Sequence, residues 1–195
     1  MDDTFGSRNL VALLVPAGDY EKEAALISDL EARPEVKEMT GLANTEARDG
    51  ITLTQKLNAR EFAEMLDIDS NVAGLLYTAY AINDENYGSV LTSTSTYRVP
   101  FIKMFHYLYG EYEKGYMDLD EDSSETIEES YNSITVAEAQ LQGENYSRIL
   151  MYLNLPEEGD ETFAFLDELH AIAREYYGED ADVFTVGNAT SEYDL

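Results

Sequence analysis

Cysteine and tryptophan are absent from this 195-residue chain, and histidine occurs only twice. Without cysteine there is no disulfide, no cysteine-based zinc or iron site and no thiol nucleophile. Cationic residues are scarce: 12 Lys+Arg stand against 40 Asp+Glu, a formal charge of -28 at pH 7. A nucleic-acid binder must neutralise phosphates with Lys and Arg, so this balance excludes that class, and it opposes docking onto anionic lipid. The excess acid reads as a solvated surface, the alternative being a face for cationic ligands or divalent ions. No run reaches the roughly 18 apolar residues of a bilayer span. Met1-Asp2-Asp3-Thr4 lacks the basic and apolar stretches of a signal peptide, so the chain alone is expected in the cytosol unless something outside this sequence carries it out.

Hydrophobic residues make up 44% of the chain, enough to bury a core and to argue against general disorder. Proline is sparse, and each one marks a boundary: Pro16, Pro34, Pro100 and Pro156. The apolar run Leu10–Val15 within 9–16 reads as a buried strand. Asp19 can cap a helix over 20–33, with Glu21 and Glu23 at the positive end of its dipole and Tyr20, Ala24, Ile27 and Leu30 on one face. A strand over 36–42 completes a β-α-β unit. The C-terminal part repeats the plan: a strand over 147–155 closed by Pro156, then Gly159-Asp160, then a helix to Tyr177. Phe165, Leu169, Ile172 and Tyr176 line one face of that helix, Gly178 stops it, and 181–186 is the last strand. Two such halves predict an α+β fold, a ferredoxin-like split β-α-β core over 9–42 and 147–187.

The middle, about 43–146, reads as a helical insertion between the halves. Asn58 and Glu61 have capping-box spacing ahead of Phe62, Met65 and Leu66. A helix over 70–82 is expected to bury Val72, Leu75, Leu76 and Ala79. The Ser/Thr-rich stretch 88–97 reads as a loop or short strands. Pro100 suits the first turn of a third helix with Phe101, Met104, Phe105 and Leu108 inside. A fourth, over 124–142, is expected to turn Ile127, Tyr131, Ile134 and Leu141 inward.

Several segments, in order, carry a family likeness: 9–16 with Gly18-Asp-Tyr-Glu-Lys-Glu23, Glu35-Val36 leading to Thr40-Gly-Leu-Ala-Asn44, and Arg60-Glu-Phe-Ala-Glu64. They continue through Leu141-Gln-Gly-Glu-Asn-Tyr-Ser-Arg148, Leu155-Pro-Glu-Glu-Gly159 and Val186-Gly-Asn-Ala-Thr-Ser-Glu-Tyr-Asp-Leu195. Over essentially its whole length the chain resembles the first extracytoplasmic (porter) domain of MMPL-type exporters of the RND superfamily. The resemblance implies a single porter-like domain over 1–195, on the outer side of a bacterial plasma membrane. Its implied partners are the membrane helices and a second soluble domain of the parent transporter, together with a hydrophobic or lipid-like substrate. The family's proton-relay residues lie in membrane helices, so none is assigned here. The domain is expected to take part in substrate passage, to hold no cofactor or metal, and not to be an enzyme. The alternative is a secreted or surface-attached acidic binding module that depends on calcium.

That alternative has one place to act. Asp118, Asp120, Asp122 and Glu129 fall at positions 1, 3, 5 and 12 of an EF-hand-like loop, where oxygens would ligate calcium. Ser123 replaces the turn glycine and Glu125 the apolar position, while Asp122 and Glu125 have capping-box spacing, so the structural reading leads. His106 and His170 form no zinc-hydrolase pattern and read as structural imidazoles. Carboxylate pairs for glycoside hydrolysis cannot be picked from so many acids. Pro16-Ala17-Gly18-Asp19 lacks the lysine of a phosphate loop. Tyr77, Tyr80, Tyr107, Tyr109, Tyr112 and Tyr116 crowd the insertion; helix packing with hydroxyls at the rim is favoured over a docking face. Asn145-Tyr-Ser147 and Asn188-Ala-Thr190 match glycosylation triplets that arise by chance.

Overall fold

A computed structural model describes residues 9–83, 96–117 and 121–187, with Asn83, Glu121 and Asp122 described in their backbone alone. In chain order the elements are β1 (Asn9–Pro16), α1 (Tyr20–Glu31), β2 (Val36–Thr40), a 3-10 turn (Leu42–Asn44), β3 (Glu46–Arg48), β4 (Ile51–Thr52), β5 (Lys56–Leu57), α2 (Ala59–Leu66) and α3 (Ser70–Asn83). There follow β6 (Val99–Pro100), α4 (Phe101–Glu113), α5 (Glu121–Leu141), β7 (Tyr146–Leu153), α6 (Asp160–Tyr177) and β8 (Phe184–Gly187). The fold is mixed α+β, and the chain divides into two compact units, 1–45 with 137–195 and 46–136.

The first unit is a four-stranded sheet in the order β2-β7-β1-β8, antiparallel at each pairing. Alternation along β1 and β7 decides its two faces. Val11, Leu13 and Val15 pair with Met151, Ile149 and Ser147, and all are buried. Both helices pack on that face: Leu26, Ile27 and Leu30 of α1 join Phe165, Leu166, Leu169, Ile172 and Ala173 of α6 in one core. Each fully buried aliphatic side chain contributes about 1.5–3 kcal/mol, so this face holds the unit together.

The halves match in plan and differ in detail. Gly18 and Gly159 both adopt positive φ (+99° and +137°) at the turn into a helix, a conformation that costs a side chain dearly. In the first half Asp19 is the N-cap, accepting from the Lys22 amide at 3.2 Å. In the second the cap is Gly159, with no side-chain cap bond, and Thr162 Oγ1 instead donates to the Pro156 carbonyl at 2.8 Å. The second strand ends at Thr40, short of the expected 42, because 42–44 closes into the 3-10 turn.

The second unit buries rings. Phe62 lies 5.8 Å from Tyr77 and from Phe101, and Phe101 lies 5.5 Å from Phe105. Asn58 and Glu61 do form the capping box of α2, and Pro100 stands at the N-cap of α4. Two expectations are corrected. The insertion carries two small antiparallel pairs, β3-β4 and β5-β6, as well as helices. The β3-β4 hairpin turns through Asp49-Gly50, both at positive φ (51° and 79°), as a primed turn demands. On α3, Val72 and Leu75 face outward, at 37% and 71% exposure, while Ala73, Leu76, Tyr77 and Ala81 are buried. The aromatic Tyr77 wins the inward position because its ring fills the gap against Phe62 and its hydroxyl finds the Leu57 carbonyl at 2.9 Å.

Candidate functional site

One end of the sheet unit holds a buried polar cell built from three segments distant in sequence. Glu23 occupies the inward stripe of α1, in step with Leu26, Ile27 and Leu30, and is 1% exposed. It stands in the first turn, at the positive end of the helix dipole, and its side chain turns into the core. The turn 41–45 lies over it. The Ala43 amide donates to Glu23 Oε1 at 3.0 Å. Asn44 braces the same turn, accepting from the Gly41 amide at 2.8 Å and donating to the Met39 carbonyl at 3.0 Å. Gly41 has to be glycine here: a Cβ would meet Ile27 Cδ1 at 2.8 Å and Glu23 Oε1 at 2.9 Å.

The third segment is the entry to β7. Ser147 is 1% exposed and faces the carboxyl; its hydroxyl favours the ionised form without reaching full hydrogen-bond geometry. From α6, the Tyr177 hydroxyl reaches the same region. Among the described residues, Ser147 Oγ, Tyr177 Oη and Gln142 Oε1 are buried polar atoms with no hydrogen-bond partner. Burial pushes the Glu23 carboxyl above the ordinary carboxylate range, and the Ala43 and Leu42 amides and Ser147 offset part of that. The Tyr177 hydroxyl is pushed up by burial and then by the negative charges of Glu23 and Asp19. Tyr20 is raised by burial as well, against a lowering hydrogen bond from Gln142 and with Glu138 and Glu23 adding to the rise. Glu23 is too enclosed to touch a substrate. What the cell can do is take up a proton and hold the turn.

A second feature lies on the second unit. Helix α3 carries no charged residue in a chain where charged residues are 27%. Val72, Leu75 and Ile82 stand exposed along it at helical spacing, Ile82 at 59%. Nearby helices carry the tyrosines. Tyr109 stacks on Tyr131 at 3.6 Å, Tyr80 meets Tyr107 edge-on at 5.3 Å, and the Tyr112 hydroxyl donates to Glu128 at 3.1 Å. Tyr77 is buried, and Tyr116 stands 76% exposed.

The remaining sequence candidates scatter. Asp118 and Asp120 lie outside the described residues, Asp122 is described in backbone alone, and Glu129 sits exposed on α5. Among the described residues no group of three or more His, Asp or Glu is placed to hold a metal ion. His106 packs edge-on against Tyr131 at 5.4 Å, and His170 Nε2 lies 3.2 Å from Thr185 Oγ1. Ser147 of the first glycosylation triplet is buried, and the second triplet lies outside the described residues. No helix among the described residues is long and apolar enough to cross a membrane.

No protein-family model matches the chain, and no curated protein or solved structure matches it. The segments 18–23, 40–44 and 141–148 meet at Glu23.

Proposed function

We propose that this chain is an extracytoplasmic, porter-like domain of an MMPL-type exporter of the RND superfamily, with a ferredoxin-like split β-α-β core that carries the 46–136 insertion. The observation that carries the reading is the placement of β8 beside β1. Val11 pairs with Gly187 in antiparallel register, so the strand that opens the unit and the strand that closes it meet at one end of the sheet. Adjacent first and last strands suit a domain inserted between two membrane helices. The strand order β2-β7-β1-β8, from two halves of the same plan, supports the core assignment.

In this reading the domain does no covalent chemistry. It takes part in passing a hydrophobic or lipid-like substrate outward and in packing against a second soluble domain and the membrane helices of the same transporter. The uncharged helix α3, with Val72, Leu75 and Ile82 outward, supports a hydrophobic contact. The reading requires the parent reading frame to encode an apolar span of about 20 residues on each side of this domain. Sequencing the gene tests it: two such spans support the exporter, whereas a signal peptide on one side and a stop codon on the other overturn it.

A further inference from the structure

We infer that Glu23 is a proton-binding site whose ionisation loosens the 41–45 turn, the segment by which the chain leaves the sheet unit. The inference does not depend on the transporter reading. It starts from geometry. Glu23 is 1% exposed, its Oε1 takes the Ala43 amide at 3.0 Å, and it packs so closely on Gly41 that a Cβ there would meet Oε1 at 2.9 Å. Within the sheet unit the cell also reaches the end of α5, where Gln142 is hydrogen-bonded to Tyr20.

The cell can accept either protonation state. A protonated carboxyl needs an acceptor and an ionised one needs donors, and the Ser147 hydroxyl beside it can rotate to serve as either. Burial is the largest influence on the balance, and among the described residues no cation is hydrogen-bonded to the carboxyl. Facing the cell are Asp19, Tyr20 and Lys22 from the start of α1, Glu138 from α5 and Tyr177 from α6; the turn and the inward face of β7 bring no charged group. Lys22 is engaged by Asp19 at 3.4 Å. Opening the turn lets water reach the carboxylate. Opening is therefore favoured once Glu23 is ionised, and the closed turn binds the proton more tightly than the open one.

Amide hydrogen exchange on the 195-residue chain, corrected for intrinsic exchange, tests this together with carboxyl carbon NMR of Glu23. As pH rises from the ordinary carboxylate range to alkaline values the protection of the Ala43 amide is expected to fall severalfold in the wild type and to stay level in Glu23→Gln. The Glu23 carboxyl is expected to titrate above the ordinary carboxylate range over the same interval, a readout that needs no variant. An ordinary titration of Glu23, unchanged Ala43 protection, or an equal fall in Glu23→Gln would each overturn the inference.

Discussion

The two units solve burial differently. The sheet unit packs aliphatic side chains in alternating register, Val11, Leu13, Ile149 and Met151 against two helices, and admits a carboxyl to its interior at Glu23. The insertion unit packs rings, Phe62, Tyr77, Phe101 and Phe105, and satisfies its buried hydroxyl with a backbone carbonyl. The Tyr77 hydroxyl is matched by a fixed acceptor; the Glu23 carboxyl takes the Ala43 amide and also faces the Ser147 hydroxyl, which can donate or accept. A polar group with a fixed partner stabilises one state, whereas one with reversible partners can report on pH.

The contrast can be broken from either side. The largest effect is expected from Phe62→Ala, which removes a fully buried ring and should cost about 3–5 kcal/mol. Hydrogen exchange should show the loss in α2 and α4 while β1 and β7 keep their protection; equal loss in both units would merge them into one cooperative body. Leu13→Ala is the counterpart, about 2–5 kcal/mol by urea unfolding, with the loss in β1 and β7. Gly41→Ala drives a Cβ against Ile27 and Glu23 and should cost about 1–3 kcal/mol. Tyr77→Phe keeps the ring and drops its bond to Leu57, for about 0.5–1.5 kcal/mol.

The smallest change has the opposite sign. Because Glu23 has its folded pKa raised above the unfolded value, the folded chain binds the proton more tightly, and stability falls as pH rises from the ordinary carboxylate range through the raised value. Glu23→Gln keeps an acceptor for the Ala43 amide and removes that loss. Its urea midpoint should exceed the wild type's at alkaline pH and equal it below the ordinary carboxylate range. A lower midpoint at alkaline pH would mean that the ionised carboxylate stabilises the cell.

Legibility in the sequence follows the same contrast. The strands β1 and β7 and the helix α6 were readable because their periodicity is decided by one buried face, and Phe165, Leu169 and Ile172 do line it. On α1 the face Tyr20, Ala24, Ile27 and Leu30 predicts Ala24 inward, whereas Ala24 is exposed and Glu23 is buried. The spacing 23, 26, 27, 30 carried the right stripe, but residue type argued against an acid inside, and tertiary partners overrode that preference. On α3, an uncharged helix with apolar residues on several sides, periodicity could not choose a face, and the fit of the Tyr77 ring chose it. The β3-β4 hairpin has a local signal in Asp49-Gly50, but its strands are too short to show an alternating pattern. The polar cell could not be read, because its members come from 19–23, 41–44, 138–147 and 177 and meet through topology alone.

The central claim concerns where this domain works, and a topology measurement tests it most directly. The chain has no cysteine, so one placed at Leu75, 71% exposed, is a unique label site within it. In cells producing the full-length gene product, with any cysteines elsewhere replaced, Leu75→Cys should react with a membrane-impermeant maleimide added outside intact cells. Labelling that appears only after the cells are lysed would place the domain inside and contradict the exporter reading.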